Sequence, residues 1–553
     1  MAAASIISHR QVTKSRQFIT PAFLTGTFLL VCAITFYYFT VLKTNYRDSS
    51  LLDFGQADAT EYFAQAEAIL KDGYPYLQIG YDKVPSVYPL GYPVLMLPWL
   101  RILPQSNSIL APYRTNQTIG LLLILAVFGF YAYLAMPFAG GVAALMVATL
   151  PGFFTFSRSP FSEISATTVV VLAFMFAYLG LTEERRWKIY LSAVFLGLSL
   201  NIRLQLLFFA PLLLTMAVFP AKENRLRWFL HCIGVGFAFV IAASPTLVLN
   251  TIQFHSPFKT GYDYWFPSLV ENHRFFSLGY IPTNIARLWN ELALRPNPYS
   301  VATIFGTGAC FVPAFILLVC MGLFFIRLSW FVGCAFLAGL SFFAVAASFM
   351  FGIDGRMYLP IWVLLVAVAI LPVTWAAKNL AARKRFLPAA AIFVLFAAVC
   401  VGYPSRSGEI VGINRSQAWD AIHFNPSNRR SRDFVAQKRF VELVSNQPGI
   451  VFSDIHPSYL NVLLPAGFVT APLDGKGYVG FSKIFHYDRP QATELLKRGI
   501  EHTIPIYALF VSQDEMNEKV SRLPELHGYK WVIGENSAPD SVVLRLVPIL
   551  NNR

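Results

Sequence analysis

The sequence predicts a polytopic α-helical membrane protein, with about eleven apolar crossings followed by a water-soluble α/β domain, on three observations. The 553-residue chain is 56% hydrophobic and 13% charged, with a mean hydropathy of +0.52, whereas an ordinary soluble chain carries about 25% charged residues. Apolar runs long enough to cross a hydrocarbon core recur along residues 1–403. Residues 404–553 change character, with short apolar runs alternating with polar helical stretches. A net charge of +14 might suggest nucleic acid, but the Lys and Arg residues sit mostly in short loops between apolar runs, which excludes that partner.

Taken in order, the basic N-terminus MAAASIISHRQVTKSRQ precedes the first apolar run with no small-residue cleavage site, so a retained signal anchor is expected. Further runs fall near 22–42, 117–136, 138–157, 165–182, 229–250, 302–326, 330–352, 358–376 and 387–403. The stretch 189–219 is split by Asn201-Ile202-Arg203 into two short spans. The loops with Arg185, Arg186 and Lys188, with Lys222, Arg225 and Arg227, and with Lys378, Arg383, Lys384 and Arg385 fall on one side, which the positive-inside rule makes cytoplasmic, together with the N-terminus. The external loop 43–116, the turn 157–163, the loop 251–300, the turn 352–357 and the tail then face outward. In the tail, Gly449 to Phe452, Ile504 to Val511 and Ser541 to Val547 read as strands, and 431–445 and 490–498 as helices, giving a small domain with its own core. All six cysteines lie in or beside apolar stretches and none in the tail, so no disulfide framework or metal knuckle is expected.

The first external loop carries the densest chemistry. From Asp58 to Leu70 apolar residues recur at helical spacing, as in an amphipathic helix at the membrane interface. Asp58 and Glu61 share one face, with Tyr62 one turn from Asp58. Two acids at a helix start serve either a reaction or the helix dipole. Tyr88-Pro-Leu-Gly91-Tyr92-Pro93 follows, a turn with aromatics suited to an interfacial belt. Glu163 is placed at the same membrane face, where an acid at a helix end is either functional or simply solvated.

Arg203 interrupts the apolar run GLSLNIRLQLLFF, where a charge costs about 2.5 to 3.5 kcal/mol on insertion scales. It therefore snorkels, pairs with an acid, or faces a cavity that holds an anion such as phosphate. Lys259 and Tyr262 in HSPFKTGYDYW, and Arg356 and Tyr358 in DGRMYLP, add cations and hydroxyls at the same face. Arg holds phosphate oxygens bidentately and Lys as a point charge. Gly475-Lys-Gly477-Tyr-Val-Gly480 matches a dinucleotide fingerprint literally but lacks the strand-then-helix context. His456 reads as a loop residue.

The series Asp58-x-x-x-Tyr62-x-x-x-Ala66, YPLGYP, SPFSE, GLSLNIR, HSPFKTGY and RMYLP, in this order, resembles the GT-C membrane glycosyltransferases over residues 20 to 375. These include the protein O-mannosyltransferases, the bacterial aminoarabinose transferases and the RgtA/B/C/D-like group. The resemblance implies a transmembrane glycosyltransferase domain over 1–403, an extracytoplasmic soluble domain over 404–553, and a polyprenyl-phosphate-linked sugar as donor. It places an essential acid on Asp58. Many members carry adjacent Asp-Glu there, whereas Ala59 and Thr60 separate Asp58 from Glu61, so either acid remains a candidate.

The expected catalytic set is Asp58, Glu61 and Glu163; Arg203, Lys259 and Arg356 hold the donor phosphate; Tyr62, Tyr92, Tyr262 and Tyr358 line the substrate site. Some members of the fold use a divalent metal, for which Asp58 and Glu163 are the candidate ligands. The expected setting is the cytoplasmic membrane, with transfer at its outer face to a glycan, lipid or protein of the cell envelope. The rival from another class is a transporter or lipid flippase with Arg203 on its path. Such proteins often show internal pseudo-symmetry, and the second half has no counterpart of the 189–219 stretch.

Overall fold

The computed structural model describes residues 20–43, 57–217, 224–292, 313–350, 352, 355–402, 429–444, 447–455, 460–461, 464, 467–473, 489–534, 537 and 541–549. The N-terminal leader, residues 302–312 of one expected span, the start of the tail, His456 and the Gly475–Gly480 motif lie outside the described residues.

Helix α1 (Pro21–Tyr37) is capped by the Thr20 hydroxyl, which accepts from the Phe23 amide, and continues as a π-helical turn to Leu42. In the first long loop, α2 (Ala57–Asp72) and α3 (Gly91–Ile102) flank a hairpin of β1 (Leu77–Ile79) and β2 (Asp82–Val84). Then come α4 (Ala111–Tyr133), α5 (Pro137–Thr149), the short α6 (Pro151–Phe156), α7 (Glu163–Thr182) and α8 (Arg186–Ile202). A 3₁₀ stretch, Leu204–Ala217, precedes the long α9 (Arg225–Phe254). The second long loop holds α10 (Gly261–Trp265), α11 (Pro267–Glu271) and α12 (Tyr280–Leu292). Helices α13 (Pro313–Leu323), α14 (Trp330–Ser348), α15 (Leu359–Ala381) and α16 (Phe386–Ala397) follow.

Among the described residues six helical segments are long and apolar enough to cross a membrane: Pro21–Leu42, Asn107–Tyr133, Glu163–Thr182, Arg225–Phe254, Trp330–Ser348 and Arg356–Ala381. Four shorter apolar helices, Pro137–Thr149, Leu204–Thr215, Ala314–Leu323 and Phe386–Cys400, together with α8, occupy the remaining expected crossings. Small residues let the helices approach closely. A Cβ on Gly26 of α1 would stand 2.2 Å from the Pro137 carbonyl oxygen, and one on Gly141 of α5 2.3 Å from that of Gly26.

The expected break at 201–203 has a clear cause. Pro245 removes a backbone donor from α9, and the Asn201 amide inserts one step further on. It donates to the Ala242 carbonyl at 2.7 Å and accepts from the Thr246 amide at 2.9 Å and hydroxyl at 2.7 Å. So pinned, α8 ends, and Arg203 turns extended at φ −150°, ψ 122°.

The C-terminal domain contains α17 (Arg429–Leu443), β3 (Ile450–Ser453), β4 (Val469–Pro472), α18 (Arg489–Glu501), β5 (Ile506–Phe510), α19 (Gln513–Lys519), β6 (Tyr529–Ile533) and β7 (Val542–Pro548). The sheet order is β4-β3-β5-β7-β6, with β3 parallel to β4 and β5 and the other pairs antiparallel. The expected strands are there. β4 and β6, which are not among the expected strands, are the two edges of the sheet, and β4 ends in Pro472, a residue confined to such places. The hairpin of the first loop covers the β4 edge. The Gly80 amide donates to the Thr470 carbonyl at 2.7 Å, and the Asn461 side chain donates to the Gln78 carbonyl at 2.9 Å. Leu77, Ile79, Val87 and Trp265 from the two long loops share one core with Ile450, Phe452 and Leu496 of the domain.

Candidate active site

The site lies where the start of α7, the end of α8, the turn before α15 and the first turn of α2 meet. Glu163 begins α7, and its approach is set by Asn116 of α4, whose amide donates to the carbonyls of Ser159 at 2.8 Å and Phe161 at 2.5 Å. Arg203 emerges at the break of α8, and Arg356 sits in the 3₁₀ turn Gly355–Tyr358. Its guanidinium lies 5.0 Å from the centre of the Phe161 ring.

These groups form a chain of alternating charge. Arg203 Nη2 lies 2.9 Å from Glu163 Oε1, Arg356 Nη1 lies 3.5 Å from the same oxygen, and Arg356 Nη2 lies 3.0 Å from Asp58 Oδ2. The two carboxylates balance the two guanidinium groups. Side-chain exposure is 1% at Glu163, 10% at each arginine and 16% at Asp58, so Asp58 is the least buried of the four. Glu163 is held by charge rather than by alignment, since neither of its buried oxygens accepts a hydrogen bond of good geometry.

Asp58 Oδ1 accepts from the Tyr88 hydroxyl at 2.5 Å. Burial raises its pKa, but the Arg356 charge, the Tyr88 hydrogen bond and the more distant Arg203 outweigh that and leave it below the usual carboxylate value. Burial, with the negative charge of Asp58 adding to it, pushes the Tyr88 and Tyr262 phenols up. Tyr62 is raised for the same first reason. All three are therefore neutral hydroxyls at neutral pH.

Glu61 has a different environment. Fully buried, it accepts from the Ser86 hydroxyl at 2.6 Å and the Val87 amide at 3.0 Å. It thus fixes the segment that carries Tyr88. Tyr62 meets the Ser162 hydroxyl at 3.0 Å, and its ring centre lies 4.9 Å from that of Tyr88 and 5.0 Å from that of Tyr92. Tyr262 stands edge-on to Tyr88 at 6.3 Å. The Tyr92 hydroxyl donates to the Pro112 carbonyl at 3.2 Å and receives from Asn116 at 2.9 Å. Tyr358 is buried and donates to the Gly352 carbonyl at 2.9 Å. Lys259 is exposed and forms no ion pair among the described residues.

Asp58, Tyr62, Glu163, Arg203, Tyr262 and Arg356 are thus brought together, with Tyr92 behind them. Tyr88, Ser86 and Asn116 complete the arrangement without having been singled out from sequence. The signal for Tyr88 was available: it opens the same aromatic turn that contributes Tyr92.

The backbone around Tyr88 is tightly packed. A Cβ on Gly261 would stand 2.2 Å from the Ser86 carbonyl oxygen and 2.5 Å from Val87 Cα. Trp265 donates to the Pro85 carbonyl at 2.9 Å from the other side. Gly261→Ala is expected to cost about 1–3 kcal/mol by overpacking, read as a lower unfolding temperature of the purified protein.

The donor set does not fit a divalent cation. Asp58 and Glu163 already neutralise guanidinium groups, and no cluster of three or more His, Cys, Asp or Glu residues with metal-binding geometry occurs among the described residues. The site is instead suited to a phosphate, which two arginines can hold by charge-assisted hydrogen bonds beside a carboxylate able to take up a proton.

No protein-family model matches the sequence, and no curated protein matches it. Solved structures do. ArnT from Cupriavidus metallidurans bound to undecaprenyl phosphate aligns with 94% of this chain and 97% of its own, at 11% identity and a TM-score of 0.54. The Archaeoglobus fulgidus oligosaccharyltransferase in the apo form aligns with 95% of this chain and 76% of its own, at 13% identity and a TM-score of 0.51. Both are GT-C fold glycosyltransferases. This chain is a multi-pass membrane protein of the GT-C fold with a C-terminal strand-containing domain.

Proposed function

We propose that this chain is a membrane glycosyltransferase that moves a sugar from a polyprenyl-phosphate-linked donor to a glycan, lipid or protein of the cell envelope, at the outer face of the cytoplasmic membrane. The observation that carries the reading is the buried pair Arg203 and Arg356, each within ion-pair distance of Glu163, with Asp58 paired to Arg356 at 3.0 Å. A fold likeness to a protein solved with undecaprenyl phosphate supports the donor class.

In the reaction, an acceptor hydroxyl oxygen attacks the anomeric carbon, the bond from that carbon to the phosphate oxygen breaks, and Asp58 takes the acceptor proton. The electron pair leaves with polyprenyl phosphate, a group of about −1.5 to −2 charge at neutral pH, which Arg203 and Arg356 stabilise. Asp58 gains basicity as the reaction begins. While Arg356 pairs with it, its proton affinity is depressed; once phosphate claims that arginine, the depressing charge is shared and the affinity rises. Glu61 serves as a positioning residue, and Glu163 lies between the two charged guanidinium groups until the donor arrives. Tyr62, Tyr92 and Tyr262 form the aromatic wall beside the sugar. Lys259, exposed just before the helix that carries Tyr262, meets the donor phosphate on entry.

The proposed orientation is supported by α7. Glu163 starts it and Arg185 and Arg186 follow its end, so the site and this basic loop lie at opposite ends of one spanning helix. With basic loops cytoplasmic, the site and the C-terminal domain face outward.

The test is binding of undecaprenyl phosphate, then transfer from a panel of polyprenyl-phosphate sugars, by protein in lipid nanodiscs. Arg356→Gln should weaken binding at least about tenfold, the loss of one charge-assisted phosphate contact. Unchanged binding, or uptake of the lipid across liposomes without transfer, would replace the enzyme by the flippase.

The depressed pKa of Asp58 fixes a pH dependence. Its ion pair contributes stability above the unfolded value of about 3.9, and that contribution is lost as pH falls through the lower folded value. Plots of kcat/KM, which report the free enzyme, are therefore expected to show no ionisation of this acid above about pH 5. An acidic limb near neutrality that vanishes in Asp58→Asn would contradict the assignment.

A further inference from the structure

Helix α12 is not a membrane crossing, yet its outward face is apolar. Asn284 and Leu288 turn inward and are buried. Pro282, Ile285, Ala286 and Trp289 are exposed and recur at i, i+3, i+4 and i+7, one continuous helical stripe. Ile285 is 44% exposed and Trp289 64%, and Leu278, one turn earlier, is 80% exposed. An outward stripe of this kind on a soluble loop would face water at a cost.

The helix is fixed at the end of a spanning one. The Asn284 amide donates to the carbonyls of Ala347 at 2.8 Å and Phe349 at 2.9 Å, where α14 ends. Just before α12, the Ser277 amide donates to the Ser348 carbonyl and the Met350 amide to the Phe275 carbonyl, both at 2.8 Å. The Phe276 and Phe349 rings lie 5.2 Å apart. On α14 itself Phe336, Leu337 and Leu340 are 70%, 43% and 50% exposed, as a lipid-facing surface is.

We infer that α12 is an interfacial helix lying in the outer boundary of the bilayer, with Leu278, Pro282, Ile285, Ala286 and Trp289 covered by lipid. The occupant is argued from continuity: the stripe is carried on the end of a helix whose own flank meets acyl chains, and a tryptophan at that level suits the membrane-water boundary. On the inward side Leu288 packs into the core and Asn284 grips the Ala347 and Phe349 carbonyls, at the start of the segment that leads to Arg356. The Tyr358 hydroxyl grips the same turn at Gly352. Lipid thus seats the element that sets the depth of Arg356. This inference does not depend on the reaction proposed above.

The test uses the full-length protein in phosphatidylglycerol and phosphatidylethanolamine nanodiscs, with p-benzoyl-phenylalanine placed singly at Ile285, Trp289, Phe336 or Glu525. Phe336 is the lipid-facing reference, and Glu525, exposed in the C-terminal domain, is the aqueous one. After irradiation, intact mass counts lipid adducts. Yields at 285 and 289 should match Phe336 within about twofold and exceed Glu525 by about tenfold or more, as for a helix buried in the headgroup and acyl boundary. Yields equal to those at Glu525, or cross-links to a second copy of the chain in place of lipid, would overturn it.

Discussion

Transfer by Asp58→Asn is expected to fall by about 10²- to 10⁴-fold, the range for removal of a general base, with the fold and binding of polyprenyl phosphate retained. Asparagine keeps an oxygen to accept from Tyr88, and Arg356 still has the Glu163 carboxylate at 3.5 Å, so its guanidinium keeps one anionic neighbour. The comparison that gives the result meaning is Glu61→Gln. Glu61 touches Ser86 and Val87 rather than the arginines, so its loss should act through the alignment of Tyr88 and fall well short of the Asp58 effect. Equal losses in the two variants would mean that the pair acts as one unit. Survival of transfer in Asp58→Asn would move the base to Glu163.

Removing the charge of Glu163 has the largest expected effect on stability. Its carboxylate is the one anion shared by Arg203 and Arg356. Glu163→Gln leaves Arg203 without its partner and brings two like charges together in a buried place, a change worth about 3–5 kcal/mol. The double variant Glu163→Gln/Arg203→Gln removes the stranded charge as well and should recover much of that loss. Unfolding temperatures of the three proteins in one detergent, with added undecaprenyl phosphate as a second condition, make the measurement. Phosphate should rescue Glu163→Gln more than the parent, because it supplies the missing negative charge. A single variant as stable as the parent would show that water reaches the arginines freely.

The membrane helices were legible because apolar length is a property of neighbouring residues, and α2 because its period is local. The split at Arg203 was legible for an energetic reason, a charge in an apolar run. Its cause was not, since the Asn201 amide works by entering α9 about forty residues later. The same limit hides Tyr88, whose meaning lies in Asp58, thirty residues before it. Residue type announced that Glu163, Arg203 and Arg356 needed partners; only the tertiary fold names them for one another. The surroundings of Tyr358 and Lys259 are likewise set by the fold: the Tyr358 hydroxyl is engaged by the Gly352 carbonyl, and Lys259 is exposed.

The hairpin that lies against β4 also sets the order of events during synthesis. Gln78 and Asn461 are 383 residues apart, so at about 5–20 residues per second the ribosome needs tens of seconds after completing the first loop before its support exists. Arg356 reaches Asp58 across 298 residues in the same way. For most of its own translation the chain is already inserted in the bilayer while its base and its aromatic turn lack their scaffold.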